Sequence, residues 1–396
     1  MAKVRGLINV LVPIKKGSQI IILILLFTNS LLGQEYERYK KLVDTTVTSK
    51  YLGFEKNITI TVPFEWQEDL DRDFPLVIVF DRQNQRSHKY ILNTIDYLTS
   101  NEQMPSAIII SVESGQNRFV ETWHKASGVE GLALENEKFI FDELIPLAEE
   151  KYSASSYRLL VGHSRYGYFT TSLFHSRIND LNAVVSLSPF FEQDNVDLTD
   201  SIAQLANQSF ISKKYYRYGI GNDYPDDFHK MDSTLKKLNN STIDSKGVLF
   251  SEAAHNVTPG LTIATTLYEI FEEWSKIQSK YFSNDQIELE IMNSLEDEII
   301  ANYGSRLEFS IGVLNGKGWF FYNDEKYDKA IEAWELLIKS YPNFSDAHLY
   351  IIDAKLKLNQ DVSQTIENFK KSLASSKIYS EEKKNELLKE LENINN

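Results

Sequence analysis

The chain has 396 residues, a length suited to two domains, and its 42% hydrophobic and 25% charged content is that of a folded protein rather than a disordered one. A net charge of −14 argues against nucleic acid or an anionic membrane surface as the main partner. The absence of cysteine excludes disulfides, thiolate metal sites and a cysteine nucleophile; the seven histidines show no helical ligand pair, so no metal and no cofactor is expected.

The N-terminus reads as a targeting segment. Lys15 and Lys16 precede an apolar run from Ile20 to Phe27 that continues through Leu31, Leu32 and Gly33. A charged start, a short apolar centre and a small residue before a polar stretch are the pattern of a signal peptide, with cleavage near Gly33–Gln34. The run is short for a membrane span, though an uncleaved anchor is the rival reading, and only then would the membrane be a partner. Residues 1–33 are therefore set apart from the fold, and the body is expected to be exported, to a bacterial periplasm or surface.

From residue 54 to 282 strand-like and helix-like segments mostly alternate. Asn57–Val62 alternates apolar and polar as a half-buried strand does. Pro75–Asp81, Ser106–Val112, Arg158–Gly162 and Ala183–Leu187 are short, β-branched and nearly continuously apolar, which suits central parallel strands covered on both faces. Tyr215–Ile220 and Gly247–Phe250 look like two more. Amphipathic stretches lie between or after them, at Lys89–Leu98, Leu132–Tyr152, Ser164–Arg177, Phe228–Leu238 and Leu261–Ile277. The alternation predicts an α/β fold, a mostly parallel sheet flanked by helices, over residues 34–282.

After residue 282 the strand signal stops and the charge shifts: residues 283–396 carry 13 basic and 21 acidic side chains, which sets a domain boundary there. Leu314–Pro342 has two helical faces joined at Asn323–Glu325. Gly318 and Ala330 are small where two helices could approach, and Trp319, Phe321, Tyr327 and Trp334 are bulky around them. Pro342 would end the second helix. A weaker copy carries Ala354, Leu356, Ile366 and Phe369. The pattern resembles a tetratricopeptide repeat, a helix pair of about 34 residues; a plain helical bundle is the alternative. A preceding helix is expected within 283–310 and a capping one at Glu381–Leu391.

The chemistry-bearing stretch is YRLLVGHSRYGYFTTSLF, residues 157–174. An apolar run feeds Gly162-His163-Ser164 and an amphipathic run follows, the strand–turn–helix setting of a nucleophile elbow. A serine hydroxyl needs a base to take its proton. His255, on the loop after Gly247–Phe250, is in the order Ser, acid, His that such folds use. His229 falls inside a helix and reads as surface. The acid should follow Tyr215–Ile220. Asp223 is the first choice, Asp226 and Asp227 suit the start of the next helix, and a Ser–His dyad without an acid stays open. The oxyanion would be held by the backbone N–H of Arg165 and a second from the loop after Pro75–Asp81, Arg82 or Gln83. Phe190 and Phe191 either line a pocket or belong to the core.

On these residues, 54–282 resembles the putative-esterase branch of the α/β-hydrolases, which includes esterase D and enterochelin-esterase-like proteins. The matching stretches are PLVIVFD, MPSAIIISVESGQNRFVET, FIFDELIPLAEEKYSASSYRLLVGHS, VVSLSPFF and AAHNVTPG. The resemblance implies a serine hydrolase of esters or thioesters and carries over Ser164 and His255 directly, and Asp223 by position. It also fits a C-terminal tetratricopeptide-like extension. The departure is Tyr166, where G-x-S-x-G has its second glycine; Gly167 follows it. A tyrosine there should push the helix out or tilt the turn, and Arg165 and Tyr166 could present side chains to the substrate. No basic cluster singles out an anionic substrate, so a small-molecule or glycan ester is expected. A non-catalytic binding protein, holding a partner or a second copy through its helices, is the competing function.

Overall fold

The computed structural model describes residues 36–394 apart from 69–71, 126–130, 195 and 286–288, so the targeting segment lies outside the described residues. The strands are β1 (Tyr39–Thr48), β2 (Glu55–Pro63), β3 (Phe74–Phe80), β4 (Ile108–Val112), β5 (Ala154–His163), β6 (Ala183–Leu187), the two-residue pair β7 (Glu192–Gln193) and β8 (Val196–Asp197), β9 (Lys214–Ile220) and β10 (Ile243–Leu249). Apart from the β7–β8 ribbon they form one sheet in the order β1-β2-β4-β3-β5-β6-β9-β10. The contacts β1–β2 and β2–β4 are antiparallel, and every pairing from β4 onward is parallel. The apolar runs at β3, β4 and β6 are buried along their whole length, as strands covered on both faces must be. β1 escapes sequence pattern because it is an edge strand, exposed at most positions and carrying Lys40 and Lys41. Charges there block pairing with another chain.

Two layers of helices cover the sheet. They are α1 (Gln85–Ser100), α2 (Arg118–Glu121), α3 (Ala133–Phe139), α4 (Ile145–Tyr152), α5 (Arg165–Ser176), α6 (Leu198–Ala203), α7 (Pro225–Lys237) and α8 (Thr258–Ser283). A π-helical turn, Ile140–Leu144, joins α3 to α4, so the single amphipathic run of Leu132–Tyr152 is one helix with a bulge. α8 buries Ile263, Leu267, Ile270, Phe271, Trp274 and Ile277, a stripe at helical spacing. Each such side chain contributes roughly 1.5–3 kcal/mol by leaving water.

The remaining chain is helical: α9 (Leu289–Tyr303), α10 (Ile311–Asn323), α11 (Tyr327–Ser340), α12 (Asp346–Lys357), α13 (Ser363–Ser375) and α14 (Glu381–Ile394). α10 and α11 touch closely at Gly318, where an added Cβ would lie 2.2 Å from Trp334 Nε1. Trp319 packs edge-on against Trp334 at 5.2 Å between ring centroids. Phe369, Leu373, Leu387 and Leu391 close the distal end.

From Arg38 onward the chain is one compact unit. The helical part attaches where the parallel strands begin. Asn182, just before β6, donates to Tyr303 O at 2.8 Å; Lys213, just before β9, donates from its backbone to Asn302 O at 3.2 Å; and Ser156 at the start of β5 meets Ser305. Arg72, just before β3, donates to Ser340 O and lies over the Tyr341 ring at 3.7 Å. The opposite ends of these strands, where each chain segment leaves the sheet, are left to the site.

Candidate active site

Three residues at the C-terminal ends of neighbouring parallel strands take positive φ: Asp81 after β3 (63°), Ser164 after β5 (59°) and Ser188 after β6 (46°). For residues with a Cβ this conformation is uncommon, and its clustering at one edge marks a functional site. Ser164 has ψ −116° and stands immediately before α5. Its backbone N–H donates to Leu187 O at 2.8 Å, which pins the turn to β6. Gly162 permits the turn, since a Cβ there would lie 2.2 Å from Tyr166 O.

Asp223 and His255 come together on the next two loops. His255 Nδ1 hydrogen-bonds Asp223 Oδ2, and Ser188 Oγ lies 3.4 Å from the same carboxylate oxygen. The approach depends on Gly221, where a Cβ would lie 2.3 Å from Ala253 O, and on the Asn222 N–H, which donates to Ala253 O at 2.8 Å. Thus the acid turn and the histidine loop are stapled to one another. Asp226 is exposed in the first turn of α7, and Asp227 accepts from the Phe191 N–H at 3.3 Å; neither reaches His255. His229 is exposed on α7.

Ser164 and His255 line one cleft of about 280 Å³, together with Asp81, Gln83, Arg118 and His163. The sequence places Arg118 in a stretch that resembles the family but gives it no role in the site. Its Nε and Nη2 each bind the buried Asp81 carboxylate at 2.7 Å, and Nη2 also donates to His163 O at 3.0 Å. This fork ties the elbow to the end of β3. A polar residue at a strand's end followed by an arginine some 40 positions on leaves no local pattern.

Arg82 must be corrected. Its backbone N–H donates to Val112 O at 3.0 Å, extending the β3–β4 ladder one residue past the strand, so it has nothing left for an oxyanion. No described residue accepts from the backbone N–H of Gln83, the other candidate of that loop, which also lines the cleft. The N–H of Arg165 is the first of α5 and, like all first-turn donors, has no partner within its helix.

Tyr166 does not face a substrate: it is fully buried. Its ring stacks on Phe80 at 4.4 Å and its hydroxyl donates to Glu121 Oε1 at 2.6 Å. The close approach expected of the missing glycine falls on Gly167 instead, where a Cβ would meet Pro189 at 3.1 Å. Phe191 belongs to the core, whereas half-buried Phe190 stacks on Tyr168 at 5.1 Å and leans toward Tyr224, whose ring meets that of His255 at 6.2 Å.

Burial, and then the neighbouring His255, pushes the His163 pKa down to about 4. Burial, with Arg82 and Lys89, does the same to His88, whose Nε2 meets Ser111 Oγ at 2.7 Å. Both are depressed from about 6.5 in the unfolded chain, so the unfolded state binds more protons as pH falls from 6.5 toward 4. Their contribution is full above pH 6.5 and is lost at up to roughly 1.4 kcal/mol per pH unit per histidine on the way down. Burial also lowers the pKa values of His124, His175 and His348, so urea midpoints should drop between pH 7 and pH 5, and His88→Gln should remove part of that slope. A flat profile would contradict the burial of both rings.

The sheet order, the elbow and the histidine–carboxylate pair at the strands' C-terminal ends define an α/β-hydrolase fold. Residues 49–240 match the sequence profile of the family described as Putative esterase. This stretch, which includes Ser164 and Asp223, is similar to that family. Among solved structures it is similar to the IroE-like serine hydrolase from Shewanella oneidensis, with 16% identity, a TM-score of 0.61, and coverage of 75% of this chain and 99% of that one. It is also similar to an uncharacterised protein from Capnocytophaga ochracea, with 12% identity, a TM-score of 0.56, and coverage of 88% and 99%. The second coverage extends past the sheet into the C-terminal helices. At these identities the likeness is one of fold. No curated protein matches the sequence.

Proposed function

We propose that the protein is an exported serine hydrolase of carboxylic esters or thioesters. The observation that carries this reading is the His255–Asp223 hydrogen bond in a cleft shared with Ser164. Ser164 Oγ attacks the ester carbonyl while His255 Nε2 takes its proton. Asp223 holds Nδ1–H and stabilises the imidazolium. The oxyanion accepts from the backbone N–H groups of Arg165 and Gln83. His255 then protonates the leaving alcohol or thiol, and a water repeats the sequence to free the acid.

The targeting pattern in residues 1–33 supports export. The C-terminal helices stand at the far ends of the strands from the cleft. This favours a tetratricopeptide-like extension for protein contact or self-association over a cover for the site.

The test is covalent labelling. A fluorophosphonate incubated with the protein should leave one phosphonyl group, on the Ser164 peptide, and abolish hydrolysis of 4-nitrophenyl butyrate in step. Labelling elsewhere, or none, with no hydrolysis to lose, would sink the proposal.

A further inference from the structure

We infer that Arg165, together with Nη1 of Arg118, forms an anion subsite beside the nucleophile, so that the preferred ester carries a carboxylate or similar anionic group close to its scissile bond. The inference rests on the reading of Ser164 as nucleophile and adds the class of substrate.

The Arg165 guanidinium lies over the Phe119 ring at 4.4 Å from its centroid and 5.5 Å from that of Trp123; the two rings stack at 4.7 Å. Arg165 is half-buried. Among the described residues no carboxylate pairs with it; burial, and then the Arg118 guanidinium, lower its pKa, with Tyr224 opposing. Arg118 is neutralised by Asp81 through Nε and Nη2, which leaves Nη1 uncommitted. Asp194 accepts from the Trp123 indole N–H at 3.2 Å.

In a chain of net charge −14 this is an unusual place for an unmatched cation. The aromatic faces offset part of its desolvation, by about 0.5–1 kcal/mol. They leave its planar fork of donors unspent, and that fork matches a carboxylate or phosphate. The N-terminus of α5 adds positive potential at the same point. If Arg165 served only to cover Phe119 and Trp123, its loss would affect all esters alike; an anion subsite makes the loss depend on substrate charge.

Two matched pairs test this: mono-4-nitrophenyl glutarate against 4-nitrophenyl valerate, with the charge on the acyl side, and 4-acetoxybenzoate against 4-methylphenyl acetate, with the charge on the alcohol side. In at least one pair kcat/KM should favour the charged ester about tenfold or more, by the worth of a hydrogen bond to a charged group. Arg165→Gln should erase that ratio, Arg165→Lys should keep part of it, and added salt should compress it. The absence of a preference in both pairs, or an equal loss on both members in Arg165→Gln, overturns the inference. The catalytic reading fails separately, if hydrolysis is indifferent to Ser164→Ala. Should no ester turn over, binding of 4-hydroxybenzoate against 4-methylphenol, read by ligand-detected NMR, still decides. A charged-ligand preference lost in Arg165→Gln supports the subsite; equal binding refutes it.

Discussion

Ser164→Ala is expected to cut hydrolysis of 4-nitrophenyl esters by about a thousandfold or more while leaving the unfolding transition nearly unchanged. The two halves of this expectation have separate physical origins. Without Oγ there is no acyl-enzyme, and what remains is water attack assisted by the oxyanion donors. Stability is spared because alanine tolerates the φ of 59° no worse than serine does, and the anchoring bond of the turn is made by the backbone N–H to Leu187 O. His255→Ala should be as damaging as Ser164→Ala, and the double variant no worse than either, because a nucleophile without its base and a base without its nucleophile fail at the same step. Asp223→Asn should cost about 10³–10⁴-fold, since an amide facing Nδ1 no longer selects the tautomer that leaves Nε2 free. Steady-state kinetics on purified variants, with urea midpoints alongside, checks all four. A Ser164→Ala protein that keeps more than a tenth of the wild-type rate would show that the cleft works without this hydroxyl.

The parts of the site that could be read from sequence are those whose cause is local. Gly162-His163-Ser164 follows a fully apolar strand and precedes an amphipathic run, and the structure puts the turn there because only glycine at 162 clears Tyr166 O. His255 could be placed from chain order. The choice among Asp223, Asp226 and Asp227 could not be settled locally, because it is made by a contact between two loops, the Asn222 N–H on Ala253 O. Arg82 was misplaced for a related reason. The apolar run of β3 ends at Phe80, but the ladder with β4 continues one residue further, through a bond invisible in the hydrophobic pattern. Arg118 and Arg165 lie 47 positions apart, and only the fold sets Arg165 over Phe119, the neighbour of Arg118, so no local run of basic residues marks the pair in the sequence. Tyr166 is the sharpest case. Against the motif it reads as a defect, since a tyrosine replaces a packing glycine. In the structure its side chain is buried in the core, and its hydroxyl meets the glutamate that ends α2.

That glutamate sets the second large effect: Glu121→Ala is expected to destabilise the protein by about 3–5 kcal/mol. Glu121 Oε2 accepts from Lys56 Nζ at 2.6 Å while Oε1 accepts from the Tyr166 hydroxyl, also at 2.6 Å. The side chains of Lys56 and Glu121 are 2% and 0% exposed. Burial lowers the Lys56 pKa and Glu121, followed by the more distant Asp81 and Glu113, opposes that shift; Glu121 is the carboxylate that accepts its hydrogen bond. Removing the carboxylate strands a buried cation and a buried phenol together. Tyr166→Phe should cost less, roughly 1–3 kcal/mol, because it removes one bond to a charged group and strands no charge. Replacing Lys56 by Met, Glu121 by Leu and Tyr166 by Phe together should recover much of the loss, since an apolar triad of similar volume has no desolvation to offset. The consequence reaches the cleft, because Glu121 ends the short α2 that begins with Arg118 and carries Phe119. In Glu121→Ala, kcat/KM should fall even at temperatures where the protein is fully folded, whereas the apolar triple variant should restore stability before it restores rate. Urea unfolding at pH 7 decides the first point. A loss below about 1 kcal/mol for Glu121→Ala would mean that water reaches Lys56 and that the tyrosine at the elbow is not held by a buried ion pair.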